Sequence, residues 1–380
     1  MLAKGIQLTL MVGPKVAVPA PMVLTEALET VEVSLSAMSP SGFQLVFNLT
    51  QRPSAEGVAQ KVVAKRLLAA FNRLILMVTL GGKPRVLVDG IITNRQVKPG
   101  EQPGQARLTI TGEDLSFVMD RTEEPRTHPG QEATTIVTNL IGKYAQYGLS
   151  PKVIPPPYID PPNPVERTPS QQATDLAFIE HLAEQAGYVF YISPGSTPGT
   201  NTAYWGPPKL SEPPQPALSV NMGAHTNVEG LDFESDSTQP VKVLGEIIDS
   251  RTNTAVPVPI LTSLRQPLSA TPPWEGGADQ MATRSLNLSG ASLIEALAEA
   301  QGIVDRSMEG VVKARGSLDA LRYGGVLQPN GLVGVRGAGH GYDGMYYVKS
   351  VTHKIQRGEY KQDFELTREG LGTNVERLPV

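Results

Sequence analysis

Residues 76–115 read LMVTLGGKPRVLVDGIITNRQVKPGEQPGQARLTITGEDL, and this stretch decides the fold. An apolar run at 74–80 stops at the turn signal GGKP at 81–84, and a second apolar run follows at 86–92. Polar and apolar residues then alternate through 107–111. Short strands separated by glycine and proline turns predict an antiparallel barrel or sandwich.

The same pattern extends towards the N-terminus. Residues alternate in character at 6–10, 31–35 and 43–47, as they do in half-buried strands. The run at 6–10 therefore favours a strand over a signal peptide, because Gly13, Pro14 and Lys15 break the apolar stretch early. We expect residues 1–125 to form a first barrel-like β-domain.

The middle of the chain changes period. Apolar residues recur at helical spacing in 134–147 and 174–186, and 188–192 is predicted to be a short strand. Thr174 can cap the second helix, and Gly187 can adopt the left-handed conformation that ends it. We expect residues 126–215 to form a smaller α+β domain.

Two proline-rich stretches lie in this middle region, at 151–169 and 194–216. Proline fixes φ and pushes the residue before it towards extended conformations. Both stretches are therefore predicted to be stiff, extended connectors. Trp205 and Trp274 could serve a sugar-binding surface, but aromatic residues beside such loops are interpreted here as packing residues.

Residues 216–380 are predicted to be a second barrel-like β-domain with a helix inserted at 291–308. Three strands are predicted after this helix, at 332–336, 346–355 and 360–368. The predicted fold class is mainly β with an α+β middle. Two barrel-like β-domains flank the smaller α+β domain.

The composition excludes several kinds of chemistry. The net charge is −4, which gives no general affinity for nucleic acid, and the chain has no cysteine for disulfides, thiolate sites or nucleophilic catalysis. No apolar stretch approaches the roughly 20 residues of a membrane span. We expect no membrane insertion and no specific nucleic-acid binding.

The sequence points to no catalytic, cofactor or metal site. The five histidines show no metal-ligand spacing, and there is no phosphate loop or GxSxG elbow. Residues 340–344, HGYDG, place a histidine near an aspartate, but their glycines predict a turn between strands. The scattered carboxylates leave a glycosidase pair open, although no residue points to one. The prediction is that the protein is not an enzyme.

Three stretches, 76–115, 174–191 and 316–368, carry recognisable motifs in a fixed order. The motif residues, expected to be structural, are Gly90, Asp114, Phe178, Leu182, Gly187, Tyr188, Gly337, Asp343, Gly344, Tyr346, Val348, His353 and Arg368. In this order the stretches resemble the late control gene D family of tail proteins. That family includes baseplate hubs of contractile phages and the hub half of VgrG spike proteins. Thr174, Ala177 and an extra residue before Gly331 depart from its pattern.

The resemblance implies a mechanical role. Such hubs form homotrimers whose paired domains make a pseudo-sixfold ring between the hexameric tail tube and the trimeric spike. The implied partners are a second and third copy of the chain, a tail tube protein, a spike protein and other baseplate proteins. Because no needle or hydrolase domain follows the last predicted strand, we expect the spike to be a separate protein. Assembly is expected in the bacterial cytoplasm, and the final location is the baseplate of a virion or injection particle.

Two other functions stay open at this point. One is a tail-associated cell-wall hydrolase, which would cleave peptidoglycan. The other is a secreted β-rich carbohydrate-binding module, which would bind glycans saturably and have a cleaved N-terminus.

Overall fold

The computed structural model describes residues 2–3, 5–50, 65–99, 105–157, 164, 168–248, 254–286 and 292–374. In the first region the short helices are α1 (Met22–Ala27) and α2 (Ser116–Met119). The strands there are β1 (Leu2–Ala3), β2 (Ile6–Gly13), β3 (Val18–Pro19), β4 (Leu28–Ser36), β5 (Gly42–Thr50), β6 (Arg73–Leu80), β7 (Lys83–Pro99) and β8 (Gln105–Asp114).

The middle region mixes helices and strands. Its elements are β9 (Arg126–Thr127), α3 (Ala133–Gly142), a 3-10 turn (Ala145–Tyr147), β10 (Leu149–Val153), β11 (Ser170–Gln171), α4 (Asp175–Gln185), β12 (Val189–Pro194) and β13 (Asn201–Gly206). Strand β13 lies between β10 and β12 in a small sheet, and α3 and α4 pack together around its apolar core.

The last region returns to strands. They are β14 (Gln215–Ser219), β15 (Gly230–Ser235), β16 (Val241–Ile248), β17 (Ala255–Pro257), β18 (Ala282–Leu286), β19 (Val312–Asp319), β20 (Leu332–Arg336), β21 (Gly344–Gln356) and β22 (Glu359–Arg368). The helices are α5 (Leu293–Met308) and α6 (Ala320–Tyr323), with 3-10 turns at Gly223–His225, Pro273–Gly276 and Ala278–Gln280.

One large sheet joins the first and last regions. Its main strand order is β1-β2-β6-β7-β8-β5-β4-β21-β22-β19-β15, and β3, β14 and β20 attach at its sides. The joint is the antiparallel pairing of β4 with β21, in which Val33 lies opposite His353. The predicted mainly β class is confirmed, and the two β-rich regions share a single sheet.

Period-two patterning explains this sheet. In β5, Phe43, Leu45 and Phe47 are buried in the core of the first region, whereas Gln44 and Asn48 on the opposite face are exposed. In β22, Tyr360 and Phe364 are buried in the same alternating way. One face of the sheet therefore covers apolar cores, and the other is polar.

The two predicted middle helices are present with different ends. The hydroxyl oxygen of Thr174 accepts a hydrogen bond from the Ala177 amide at 3.3 Å, which caps α4 as predicted. Gly187 follows α4 with φ of 67°, so the predicted left-handed exit is also confirmed. The helix predicted at 134–147 ends earlier, at Gly142, and a 3-10 turn follows it.

The prediction for the proline-rich stretches is wrong in part. The predicted connector at 194–216 contains β13, whose NTAYWG sequence has no proline and pairs with strands on both sides. Pro151 of the other stretch lies within β10, where its missing N–H is tolerated in a sheet-edge strand. Residues 158–163 and 165–167 of that stretch lie outside the described residues.

The helix predicted at 291–308 is confirmed as α5. It begins with a capping box, in which the Ser292 hydroxyl accepts from the Glu295 amide and the Glu295 carboxylate accepts from the Ser292 amide. It packs on the small sheet of β16, β17 and β18 through Ala296, Ala300 and Val304, which are fully buried. Among the helices that the structure describes, none is long and apolar enough to cross a membrane.

Candidate functional site: motif clusters, a polar sheet face and two open edges

Gly90 and Asp114 lie opposite each other where β7 and β8 pair. A Cβ atom on Gly90 would lie 2.1 Å from the carbonyl oxygen of Glu113, so the two strands approach closely only with glycine here. The carboxylate of Asp114 accepts hydrogen bonds from the amides of Ser41 at 2.7 Å and Ser116 at 2.8 Å. Burial raises the pKa of Asp114, and these bonds oppose that effect. Asp114 thus fastens the end of β8 to the start of β5.

Phe178 and Leu182 of α4 lie in the core of the middle region. The ring of Phe178 stacks on His128 with centroids 5.7 Å apart. Next to them, Tyr188 packs edge-on against Trp205 at 4.9 Å and donates a hydrogen bond to the Pro155 carbonyl at 3.1 Å. Trp205 is fully buried, which confirms the packing interpretation and removes it as a sugar-binding platform.

Gly187 sits where α4 meets α5. A Cβ on Gly187 would lie 2.8 Å from the Cα of Gly302, so two glycines allow these backbones to touch. The Arg265 guanidinium donates to the Gly187 carbonyl at 2.8 Å, and it also pairs with Glu309. The contact fixes the middle region against the helix inserted in the last region.

Three motif residues of the last region, Asp343, Gly344 and Tyr346, lie against the buried guanidinium of Arg368. Arg368 donates to the carbonyls of Gly341 at 2.6 Å and Asp343 at 3.0 Å, and it lies 4.4 Å from the centroid of the Tyr346 ring. The Asp343 carboxylate accepts from the Ala338 amide at 2.8 Å, which closes the predicted turn. Gly337, Gly339 and Gly344 all have positive φ values in this loop, and Val348 lies in the apolar core of the last region.

His353 stands apart from these clusters, at the joint between the two β-rich regions. Its imidazole is fully buried, Nδ1 lies 3.1 Å from the Tyr360 hydroxyl, and Nε2 has no partner among the described residues. Burial lowers the pKa of His353 to about 3, because a charged imidazole would lose its hydration.

We expect the joint to weaken in mild acid. The unfolded chain takes up a proton at His353 near pH 6.5, whereas the folded chain does so only near the lowered pKa of about 3. Between about pH 6.5 and pH 3, His353 should therefore lower the free energy of unfolding by about 1.4 kcal/mol for each unit that the pH falls. Between about pH 6.5 and 5, the free energy of unfolding measured with denaturant should depend less steeply on pH in His353→Gln than in the wild type. His181 is exposed, so His181→Gln serves as the control. An equal dependence of stability on pH in the wild type and in His353→Gln would contradict the lowered pKa of His353.

The motif residues thus fall into three clusters and one isolated histidine. Among the described residues, no group of three or more histidine, aspartate or glutamate side chains is arranged to hold a metal ion.

One buried ion pair was missed by the sequence reasoning. The Arg73 guanidinium donates to both carboxylate oxygens of Asp89 at 2.7 Å and to the Tyr147 carbonyl at 2.7 Å. Asn201 of β13 donates to the same carboxylate at 2.8 Å. This clasp, Arg73–Asp89–Asn201, ties the large sheet to the middle region. The signal for it was Asp89 itself, a lone carboxylate inside the apolar run at 86–92.

The polar face of the large sheet carries paired charges. Lys354 lies 2.6 Å from Asp363, while Glu365 accepts from Arg315 at 2.9 Å and from Lys349 at 3.1 Å. Towards β4 and β5 the face is lined by hydroxyl and amide side chains, as at Ser34, Thr352 and Gln44. The named side chains of this face are therefore charged or polar.

Among the described residues, several strands of the sheet have an open edge, including β14, β15 and part of β7. The pairing of β6 with β7 ends at Ile91. Among the described residues, the edge of residues 93–99 that faces away from β8 therefore has no partner strand. At the other end, β15 pairs with β19 on one side only within the same described part of the chain. Open edges of this kind can accept another strand.

The fold is shared with tail proteins. No protein-family model matches this sequence, and no curated protein sequence does. Among solved structures, a tail protein from Neisseria meningitidis is 16% identical, with a TM-score of 0.65 over 97% of this chain and 98% of that one. A prophage MuSo2 43 kDa tail protein from Shewanella oneidensis is 14% identical, with a TM-score of 0.64 over 95% and 98%.

A third similar structure comes from a secretion machine. An E. coli protein described as a component of the type VI secretion system is 13% identical, with a TM-score of 0.56 over 93% of this chain and 77% of that one. At these identities the likeness shows the fold, and this chain has the fold of these tail proteins.

Proposed function

We infer that the protein is a structural, non-enzymatic component of a phage tail or a related injection machine, and that it acts as a baseplate hub. The observation that carries this proposal is the likeness to tail proteins over almost the whole of both chains. The likeness to a component of the type VI secretion system supports the wider class.

The finer proposal is a homotrimer that joins a hexameric tail tube to a trimeric spike. A sheet that runs without interruption through the first and last β-rich regions supports it, because such a sheet can form one wall of a ring. In this proposal the domains are 1–125, 126–215 and 216–380, the first and last build the ring, and the middle one lies outside it.

The partners in this proposal are other copies of the chain, a tube protein, a separate spike protein and further baseplate proteins. The motif clusters serve the fold rather than chemistry: each ties a loop or strand end to its neighbour. Assembly takes place in the bacterial cytoplasm, and the finished particle carries the protein at its baseplate.

The test is the absolute mass of the purified protein, measured by light scattering and native mass spectrometry. We expect about 122 kDa, three times the 40.7 kDa of one chain. A chain that stays at the monomer mass, both alone and when co-expressed with candidate tube and spike proteins, would contradict the trimeric hub. Cleavage of peptidoglycan by the purified protein would contradict the non-enzymatic role.

A further inference from the structure

A large open cleft lies between helices α4 and α5. Its volume is about 1250 Å³. The two helices touch where Gly187 meets Gly302, and both glycines line the cleft beside this contact. The proline pairs at 156–157 and 207–208 also line it, and most of its lining surface is apolar. The cleft therefore lies on the side of the molecule where the middle region meets the inserted helix.

Each of the two helices turns one stripe of side chains towards the cleft. Along α4 the stripe consists of Ala177, His181 and Gln185, which are spaced four residues apart and are exposed. Along α5 the stripe runs at helical spacing from Ile294 to Asp305, through positions 298 and 301. The opposite faces of both helices are already packed in apolar cores. Two helix stripes that face one cleft leave a groove of the kind that a third helix fills.

The dimensions of the cleft suit a helix of about three turns. A helix with its side chains is roughly 10 Å across and rises about 1.5 Å per residue, so each residue occupies about 120 Å³. A cleft of about 1250 Å³ therefore holds roughly ten residues of helix. This length matches that of α4, which has 11 residues and forms one wall.

Two large apolar side chains of the cleft are exposed. Leu264 is 71% exposed and Ile294 is 40% exposed. The loop that carries Leu264 is nevertheless anchored, because the Asp305 carboxylate accepts from the Ser263 hydroxyl at 2.7 Å and from the Leu264 amide at 3.2 Å. Together with the apolar lining around them, these side chains form a contiguous apolar surface that a partner would cover.

The cleft also carries an excess of negative charge. Its lining includes one guanidinium, that of Arg265, and four carboxylates, those of Glu132, Glu295, Glu299 and Asp305. The Arg265 guanidinium is already paired with carboxylates of the same chain. Glu132 and Glu299 form no ion pair with another described residue. The charge therefore favours an occupant with lysine or arginine beside its apolar face and disfavours an acidic one.

We propose that this cleft is a docking groove for a basic amphipathic helix of another protein. The apolar face of that helix covers Leu264 and Ile294, and its lysine or arginine side chains meet Glu132 and Glu299. The inference goes beyond the proposed hub function. Every lining residue belongs to one chain, so the groove requires no second copy.

Binding of a synthetic helix tests the groove. The probe is a peptide of about 14 residues, made of leucine, alanine and lysine, with its leucines on one helical face. We expect saturable binding of one peptide per chain by fluorescence anisotropy, with a gain of helix by circular dichroism. One control peptide has the same composition with its leucines scattered around the helix, and a second has glutamate in place of lysine. Each control should bind at least about tenfold more weakly.

Variants of the protein locate the binding. Leu264→Lys combined with Ile294→Lys should weaken binding of the lysine peptide at least about tenfold, because two cations then replace apolar contacts. Leu261→Lys is the matched control, since Leu261 is 41% exposed in the same loop but does not line the cleft. Glu132→Lys combined with Glu299→Lys should reverse the preference between the lysine and glutamate peptides. Circular dichroism of each variant checks that it is folded.

Several results would overturn the groove. They are the absence of saturable binding by the lysine peptide, equal binding by the scattered-leucine peptide, binding without a gain of helix, and unchanged binding by the variant that carries Leu264→Lys and Ile294→Lys. None of these results bears on the trimeric hub, because the groove lies within one chain. Conversely, a protein that never forms a trimer would contradict the trimeric hub and leave the groove standing.

Discussion

Asp89→Ala is expected to lower the free energy of unfolding by about 3–5 kcal/mol, because it leaves the Arg73 guanidinium buried without its counter-charge. The side chain of Asp89 is fully buried and that of Arg73 is 6% exposed. The substitution also removes the acceptor of Asn201, which holds the middle region to the large sheet. The measurement is denaturant unfolding followed by circular dichroism.

Two further variants sharpen that result. Arg107→Ala breaks an ion pair whose side chains are 59% and 39% exposed, and it should change stability by no more than about 0.5 kcal/mol. Replacing Arg73 by Met and Asp89 by Leu together should restore part of the loss, because no lone charge is then left buried. A cost below about 1 kcal/mol for Asp89→Ala would mean that the clasp does not hold the two regions together.

Gly337→Ala is the second substitution with a large expected effect. Gly337 has φ of 86°, and a Cβ there would lie 2.0 Å from the Val220 carbonyl oxygen and 2.9 Å from Met222. Either β14 or the loop around Arg368 must move. We expect a loss of roughly 2–4 kcal/mol, from overpacking together with the cost of a left-handed alanine.

The matched control is Gly339→Ala in the same loop. Gly339 also has a positive φ, 99°, but no atom lies within 4 Å of the position that a Cβ would take there. It should therefore lose only the conformational part, about 1–2 kcal/mol. Thermal unfolding of both variants separates the two costs, and equal losses would show that the close approach to Val220 does not matter.

Local patterns predicted the local structure well. The helix at 175–185 follows from its apolar spacing, its Thr174 cap and the glycine after it, all of which lie within one short stretch. The final strand at 359–368 follows from period-two alternation. The mainly β class follows from many such stretches taken together.

Long-range contacts could not be predicted in the same way. Nothing near Val33 or His353 in the sequence indicates that β4 pairs with β21 and merges two β-rich regions into one sheet. The prolines on either side of β13 indicated a connector there. The pairing of β13 with β10 and β12, which makes it the central strand of its sheet, depends on residues far away in the sequence. The Arg73–Asp89–Asn201 clasp joins side chains that are distant in the sequence. Only Asp89, a carboxylate within an apolar run, indicated a buried polar contact.

The pairing of β4 with β21 also orders events during synthesis. The hydroxyl oxygens of Ser34 and Thr352 lie 3.2 Å apart across this joint, although 318 positions separate them in sequence. Contacts of such long range form late, because the intervening chain must first be brought together. A ribosome-bound chain can fold β4 to β8 early, yet β4 keeps an unsatisfied edge until residues 344–356 have emerged. The large sheet can therefore be completed only after residues 344–368 have been synthesised.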